Sequence, residues 1–169
     1  MAIMEILKYP DPRLREVAKE ITEINEEIKK IAYSMIETMY CAKGVGLAAT
    51  QVGIPIRLFV IDVEQLEEKP KPIIFINPVI IRMEGKEKSE EGCLSIPGQT
   101  APVERATKIV VKYKNFEGEV IELEADGLLA RAIQHENDHL DGKLFIDRLS
   151  SIRKEIIIKR LKKQMERSL

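Results

Sequence analysis

Hydrophobic residues recur along this chain at two different periods. From residue 28 to residue 39 they return every three or four positions, which predicts an amphipathic helix with Asn25 as its N-cap and an end near Gly44. From Arg57 onward the apolar residues gather instead in short runs rich in β-branched side chains, which predict strands. Residues 115–118 separate two of these runs and predict a hairpin loop. The predicted strands are 58–63, 73–81, 109–113 and 120–125.

A second helical pattern follows Asp126. Its residues fall on two neighbouring stripes that are largely apolar, and Gly142 stands where the helix should stop. A helix that is apolar over so much of its surface is expected to lie buried in the middle of the domain. Its polar residues would then face an enclosed site rather than bulk water. The first stripe comprises Leu128, Ala132, His135 and His139, and the second comprises Leu129, Ile133, Glu136 and Leu140.

The last predicted element, residues 149–167, is an amphipathic and locally basic helix. It carries seven lysines and arginines among its apolar residues, against two glutamates. The simpler interpretation is a helix that packs one face on the body of the protein and leaves a cationic face in solvent. The alternative is an electrostatic dock for an RNA-rich partner.

These elements predict an α+β fold. We expect a single domain over residues 1–169, with antiparallel or mixed β-sheets packed around the central buried helix and with a C-terminal helix. A chain of 169 residues can bury a sufficient core without disulfide bonds. The net charge of −1 gives the chain as a whole no electrostatic reason to bind nucleic acid, so we expect no specific DNA binding.

The cysteines and the N-terminus bear on location in the cell. Cys41 and Cys93 are too few for a secreted disulfide scaffold and favour a reducing compartment. The N-terminus lacks a charged-then-apolar signal, and no apolar run approaches the roughly 18 residues that span a bilayer. We therefore expect a cytoplasmic protein that does not enter the membrane. Cys41 is expected to pack within the first helix.

The chain has only two histidines, and both lie in the motif H-E-x-x-H on the second predicted helix. His135 and His139 are four residues apart, so on a helix they share one face and can bind one metal ion, with Glu136 beside it. The alternative is a helix that carries two solvated or core histidines, which would need this spacing to arise by chance. The motif therefore predicts a hydrolytic metal site.

A catalytic zinc site needs a third protein ligand. Gly142 matches the extended protease motif H-E-x-x-H-x-x-G-x-x-H, but Phe145 stands in place of its last histidine. Cys93, in the loop-like element E-G-C-L-S, is the better candidate, because one thiolate and two imidazoles leave a fourth position open for water. The same ligands suit Fe(II), Co(II), Ni(II) and Zn(II), so the residue types leave the metal open. If Cys41 were a fourth ligand, the site would not be an open one.

The segment G-V-G-L-A-A-T-Q, at residues 44–51, is a third candidate element. Its glycines let another backbone approach closely, and Gln51 offers a side-chain N–H to a developing oxyanion. The same run would equally suit a strand of small residues that packs in the core.

Together, G-V-G-L-A-A-T-Q, E-G-C-L-S and Q-H-E-N-D-H-L-D-G, in this order and spacing, resemble peptide deformylase of the bacterial type. The opening L-K-Y-P-D-P-R-L, at residues 7–14, is also similar to that family, so the resemblance covers nearly the whole chain. It implies a single catalytic domain that removes the formyl group from the N-terminal formyl-methionine of newly synthesised polypeptides and releases formate. It also implies one divalent metal ion per chain, usually Fe(II) in the cell, with Cys93, His135 and His139 as ligands.

The resemblance assigns further residues to the reaction. Metal-bound water or hydroxide would attack the formyl carbon, while Glu136 takes the proton as general base and returns it to the departing amine as general acid. The side-chain N–H of Gln51 and the backbone N–H of Leu94 would hold the oxyanion.

By the same resemblance, the strand formed by Gly44, Val45 and Gly46 pairs with the substrate backbone. Val45, Leu128 and Ala132 would help to line an apolar pocket, which suits the unbranched side chain of methionine.

Three polar residues are expected to support the metal ligands through hydrogen bonds around them. Gln134 would support the metal site, and Arg105 would pair with Asp138. The family's behaviour also implies that the basic C-terminal helix approaches the ribosome. The chain departs from many bacterial members at Gly98 and Thr100, where an acidic residue and an arginine are usual, so the contacts to distal substrate residues are expected to differ.

Two other functions compete with this one. A zinc peptidase that cuts internal bonds would cleave unformylated peptides and would not depend on Cys93. A non-catalytic, metal-stabilised binding module would keep its metal without Glu136 and would hydrolyse nothing.

Overall fold

The computed structural model describes residues 2–64 and 70–167, and these form an α+β fold, as predicted. Short 3-10 helices at Pro12–Arg15, Ala49–Val52 and Phe145–Arg148 connect the longer elements. The α-helices are α1 (Glu26–Cys41), α2 (Gly127–Leu140) and α3 (Ser151–Arg167). The strands are β1 (Gly46–Ala48), β2 (Leu58–Ile61), β3 (Ile73–Glu84), β4 (Glu87–Cys93), β5 (Ile96–Arg105), β6 (Lys108–Lys114) and β7 (Val120–Asp126).

The strands form two sheets. One has five strands in the order β1-β2-β3-β6-β7, and the other is the two-stranded ribbon β4-β5. All the strand pairs are antiparallel, and an isolated bridge between Lys19 and Ile56 is parallel. Strands β6 and β7 form the predicted hairpin, in whose loop the side chain of Asn115 accepts hydrogen bonds from the amides of Glu117 and Glu119, each at 3.0 Å.

Helices α1 and α2 cover opposite faces of the five-stranded sheet. Side chains alternate between the two faces of a strand, and in β2 Phe59 and Ile61 belong to the core under α2, whereas Leu58 and Val60 belong to the core under α1. Helix α2 is therefore buried at the centre of the fold, as its two stripes predict. Its buried residues are Ala130, Ala132, Ile133, Gln134, His135, Glu136, Asp138, His139 and Leu140.

The structure shows an ordered β4-β5 ribbon where the sequence pattern predicts no strand. Residues 87–90 of β4 are all exposed and polar, so they lack the alternation of apolar and polar residues that reveals a half-buried strand. The E-G-C-L-S segment is consequently not an isolated loop, because Cys93 is the last residue of β4 and a tight turn leads from it to β5.

The prediction that Cys41 packs within the first helix is wrong. Helix α1 ends at Cys41 rather than at Gly44, and the thiol is exposed. The buried stripe of α1 runs through Met35, Ile36 and Met39. Cys41 follows Met39 by two positions, which is about 200° around a helix, so it falls on the opposite side.

Helix α3 packs on the β5 side of the molecule through Ile157 and Leu161, its two buried residues. Asp147 ties its first turn to the body, because its carboxylate accepts hydrogen bonds from Arg15, from Lys154 at 2.8 Å and from the amide of Leu144 at 2.9 Å. Most of the lysines and arginines of α3 are exposed, as both interpretations of this helix require.

No helix in residues 2–64 or 70–167 is both long enough and apolar enough to cross a membrane.

Gly142→Ala should destabilise the fold more than replacing a glycine that has a positive φ but no close neighbour. Gly142 has a φ of +74°, and a Cβ there would lie 2.5 Å from the backbone oxygen of Arg15. Gly118, with a φ of +78° and no atom within 4 Å of its added Cβ, is the matched control. We expect Gly118→Ala to lower the free energy of unfolding in urea by about 1–2 kcal/mol and Gly142→Ala by at least about 2 kcal/mol more. Equal decreases in the free energy of unfolding of the two variants would show that the Arg15 backbone moves away from the added Cβ without loss of stability.

Candidate metal centre and active-site cleft

Cys93, His135 and His139 bring three potential metal ligands together. The Sγ atom of Cys93 lies 3.4 Å from Nε2 of His139, which lies 3.3 Å from Nε2 of His135, and the three atoms are all within 4.8 Å of one another. Tetrahedral coordination with metal–nitrogen bonds of about 2.0 Å and metal–sulfur bonds of about 2.3 Å separates neighbouring ligand atoms by roughly 3.3–3.6 Å. The three donors therefore fit one four-coordinate metal ion and leave a fourth position for another ligand.

Cys41, the other thiol, does not contribute to this group. It lies exposed at the end of α1, and within the described ranges Cys93, His135 and His139 form the only cluster of potential metal-binding side chains. The arrangement is thus an open site rather than a closed structural one.

Both imidazoles turn their Nε2 atoms toward this position. Nδ1 of His135 lies 2.8 Å from Oε1 of Glu91, and because an ionised carboxylate only accepts, this nitrogen carries a proton and Nε2 points to the other two donors. Burial lowers the pKa of His135, but the hydrogen bonds with Cys93 and Glu91 outweigh burial and raise it well above its usual value, so Nε2 would give up a proton to a bound metal ion. Burial lowers the pKa of His139 well below its usual value, so its ring is neutral.

Glu91, on β4, is the centre of a buried network of charges. Its carboxylate accepts two hydrogen bonds from Arg105, at 2.8 and 2.9 Å, and one from Arg131 at 2.6 Å, in addition to that from His135. Burial raises the pKa of Glu91, but the hydrogen bonds from Arg105 and His135 outweigh burial and lower it to about 2. The carboxylate is therefore ionised, and it fixes the orientation of a metal ligand.

Sequence reasoning did not assign Glu91 or Arg131 a role. Glu91 is adjacent to the exposed Glu90, and nothing in the sequence alone distinguishes these two glutamates. The available signal was the motif E-G-C-L-S itself, whose glutamate stands two residues before a proposed ligand.

Arg105 and Asp138 form the pair that the sequence analysis anticipates. Nη1 of Arg105 donates to Oδ2 of Asp138 at 2.7 Å, and Arg148 donates two further hydrogen bonds to the same carboxylate, at 3.0 and 2.6 Å. The side-chain amide of Gln134 exchanges hydrogen bonds of 2.9 Å with both the N–H and the carbonyl of Ala106, which braces α2 against the connection between β5 and β6. The support of the metal site by Gln134 stays a prediction.

Glu136 lies buried beside the three candidate ligands, and one of its carboxyl oxygens has no hydrogen-bond partner in the protein. Oε1 accepts no hydrogen bond, and burial raises the pKa of this carboxyl to about 7. A Cβ added to Gly46 would lie 2.5 Å from the other oxygen, Oε2, so only glycine lets the carboxyl approach β1 this closely. A carboxyl in this environment can both take up and release a proton near neutral pH.

Gln51 and Leu94 face the same region from two sides. The side-chain oxygen of Gln51 accepts from the amide of Ala48 at 2.9 Å, which turns Nε2 toward Ser95 Oγ, 3.1 Å away, and toward Cys93 Sγ, 3.5 Å away. Leu94 follows Cys93 in the turn between β4 and β5. The side-chain amide of Gln51 is thus held next to Cys93, and the backbone of Leu94 directly follows Cys93.

A cleft of about 770 Å³ opens onto this centre. Strand β1 is the outer strand of its sheet, and it forms one wall, whereas the β4–β5 turn forms the other. Arg105, Gln134 and Asp138 lie instead behind α2, where they line a separate cavity. The predicted site residues that line the cleft are Gly44, Val45, Gly46, Gln51, Cys93, Leu94, Leu128, Ala132, His135 and Glu136, and Gly98 and Thr100 line it as well.

An α+β fold with an open Cys-His-His centre and a buried glutamate at the floor of a cleft is the arrangement expected of a hydrolase with a metal site. The family model described as polypeptide deformylase matches residues 3–155. The chain belongs to this family, the peptide deformylases, as the sequence motifs predict.

Relatives and solved structures agree over almost the full length. The chain is 49% identical over 168 residues to peptide deformylase of Nitrosococcus oceani, covering 99% of each, and 51% identical over 162 residues to that of Thermodesulfovibrio yellowstonii, covering 96% and 98%. The crystal structure of a peptide deformylase from Legionella pneumophila superposes with a TM-score of 0.92 at 42% identity, covering 99% and 98% of the two chains. That of the Synechococcus elongatus enzyme, in complex with actinonin, gives 0.89 at 44% identity, covering 95% and 87%.

Glu91→Gln should weaken metal binding. The substitution removes the charge that Arg105, Arg131 and His135 share, so the ligand ring loses its fixed orientation. Loss of such a supporting carboxylate typically costs about 10- to 100-fold in metal affinity. Competition titration of Zn(II) against a chelator measures the change, and Glu90→Gln, at the exposed neighbouring position, is the control. Equal affinities for the two variants would refute the role assigned to Glu91.

Proposed function

We propose that this chain removes the formyl group from the N-terminal formyl-methionine of newly made polypeptides in the cytoplasm and releases formate. The observation that carries the proposal is the Cys93, His135 and His139 group beside the buried Glu136, at the floor of a cleft. Family membership supports the same reaction.

The three ligands hold one divalent metal ion in this proposal. Fe(II) is the proposed native metal, and Zn(II), Ni(II) and Co(II) are compatible with the same donors. When bound, such an ion supplies Lewis acidity toward the formyl oxygen and increases the acidity of water at the open position.

Glu136 moves the proton. Its buried carboxyl, with a pKa near 7, accepts a proton from the attacking water through Oε1 and later donates it to the nitrogen of the departing methionine. Gly46 keeps the carboxyl close to the cleft wall, so that the proton is taken and returned at the same place.

Gln51 and Leu94 stabilise the negative charge that develops on the formyl oxygen. The Nε2 group of Gln51 and the backbone N–H of Leu94 donate to it from opposite walls of the cleft. Removing one donor of this kind typically raises the barrier by about 2.7–4 kcal/mol.

The substrate lies along β1. Because β1 is the outer strand of its sheet, an extended peptide can be added beside Gly44, Val45 and Gly46. Val45, Leu128 and Ala132 give the first side chain an apolar surround that suits methionine.

Formate release from a formyl-Met tripeptide tests this function. Protein purified anaerobically with Fe(II) should release formate rapidly, and Glu136→Gln should retain the metal but lose at least about 100-fold in kcat, the usual contribution of a general base. The unformylated tripeptide and a longer unformylated peptide are the controls. Internal cleavage of the longer peptide would favour a peptidase, and inactivity on all three substrates with a full metal complement would favour the binding module.

We also propose that the cationic face of α3 contacts the ribosome, which presents both RNA phosphates and the nascent substrate. Lysines and arginines that are exposed on α3 are Arg153, Lys159, Arg160, Lys162, Lys163 and Arg167. Contacts with phosphates release counterions, so the affinity should fall steeply as salt increases.

Reversing charges on α3 should strongly weaken this binding. We expect the combined variant Lys159→Glu, Lys162→Glu, Lys163→Glu to sediment with ribosomes at least about tenfold less than the unmodified protein at low salt. A control with the same change in net charge, at exposed positions away from α3, is Lys86→Glu, Lys88→Glu, Lys108→Glu. Neither variant should lose activity on a free tripeptide. Equal losses of binding in both would indicate attraction by net charge rather than by α3.

A further inference from the structure

The N-terminal segment Leu7-Lys8-Tyr9 lies between the two residues proposed to bind the oxyanion. The amide of Leu7 donates to the carbonyl of Gln51 at 2.7 Å, and the amide of Tyr9 donates to the carbonyl of Ser95 at 2.8 Å. Between these two contacts, Nζ of Lys8 donates to the carbonyl of Leu94 at 3.0 Å. We call residues 7–9 the N-terminal strap.

The strap connects parts of the molecule that no strand pairing joins. Gln51 lies in the 3-10 helix that follows β1, in the five-stranded sheet, whereas Leu94 and Ser95 lie in the turn of the β4-β5 ribbon. In the described part of the chain these two sheets share no hydrogen-bonded strand pair. Their spacing at the cleft is therefore set by contacts such as that of Gln51 Nε2 with Ser95 Oγ, and by the strap.

Short length makes the strap an effective spacer. Three extended residues span at most about 10 Å, so the contacts at Leu7 and Tyr9 fix the distance between the two walls narrowly. Leu7 is buried in the core beneath the ribbon, which anchors the strap itself. Lys8 is the residue of the strap whose side chain lines the cleft and reaches Leu94.

We propose that Lys8 is a positioning residue for the deformylation reaction, which holds the carbonyl of Leu94 and with it the β4–β5 turn, so that the N–H of Leu94 and the amide of Gln51 converge on one oxygen. The inference rests on the proposed function, because it takes Leu94 and Gln51 as the oxyanion donors. Such donors act within about 2.7–3.1 Å of the oxyanion, and a shift of about 1 Å can cost 100-fold in rate. The hydrogen bond from Lys8 limits rotation of the Leu94–Ser95 peptide, which adjoins the Cys93–Leu94 peptide that carries the N–H of Leu94. It therefore bears on the transition state through the backbone of the turn, whereas it need not change the binding of the ground state.

Lys8→Met removes the hydrogen bond and keeps the apolar stem of the side chain. The backbone contacts of Leu7 and Tyr9 remain, so the fold should persist. On a formyl-Met tripeptide we expect kcat to fall by about tenfold and KM to change by less than about twofold, the pattern of an interaction that matters in the transition state. Lys8→Arg should recover most of kcat, because a guanidinium also donates to a carbonyl.

Lys19→Met is the matched control. Lys19 is an exposed lysine of the same N-terminal region, and its backbone, rather than its side chain, pairs with Pro55 and Arg57. Metal content must be equal in all variants. Unchanged kcat in Lys8→Met, or a rise in KM with kcat intact, would overturn the positioning role, and the second result would indicate direct contact with substrate.

Amide hydrogen exchange supplies a readout that does not depend on turnover. Exchange at residues 93–96 should be faster in Lys8→Met than in Lys19→Met, and equal protection would also reject the proposal. If the unmodified protein released no formate, the proposed function would fail, while the exchange comparison would still decide whether Lys8 holds the turn.

Discussion

The site depends on the burial of Glu91 among cations. Its carboxylate, on β4, is shared by Arg105 on β5 and by Arg131 and His135 on α2, and all four side chains are mostly or fully buried. Removing one member of a buried ion pair costs about 3–5 kcal/mol, because the remaining charge has no partner. The β4-β5 ribbon is thereby held on α2 by charges rather than by strand pairing. Cys93 lies two residues beyond Glu91 on the same strand. Holding Glu91 against α2 therefore also holds Cys93 beside the two histidines.

Two buried glutamates lie close to the same histidine, and their surroundings give them opposite properties. Glu91 has a full set of donors and a pKa of about 2, so it is a fixed negative charge. Glu136 has an oxygen without a partner and a pKa raised by burial to about 7, so it can exchange a proton. When their environments push the pKa values of two carboxyl groups apart in this way, the two groups commonly have different roles in a hydrolase. In the proposed reaction, Glu91 would orient a metal ligand and Glu136 would transfer a proton.

The parts of this arrangement that depend on local spacing were visible in the sequence. The period of α2 predicts its burial, and its four-residue spacing places His135 and His139 on one face without any tertiary information. The β4-β5 ribbon was not predictable in the same way, because its first residues are exposed and its hydrogen bonds are made within a ribbon that leaves little apolar pattern. The role of Glu91 was hidden for a different reason. Its partners stand 14 and 40 residues further along the chain, and only the folded structure brings them together.

The cleft combines walls from two independent sheets around one shared helix. Helix α2 supplies both histidines and Glu136, the five-stranded sheet supplies β1 and Gln51, and the ribbon supplies Cys93 and Leu94. The fully buried residues of the cores under α1 and α2 lie outside the β4–β5 turn, from which only the partly buried Leu94 packs against the core under α1, so a small displacement of this turn leaves most of the buried apolar surface unchanged. Catalysis is far more sensitive to the same displacement, because the donors must converge within tenths of an ångström. In such a design, contacts across the cleft contribute little to the stability of the fold and a great deal to the rate of the reaction.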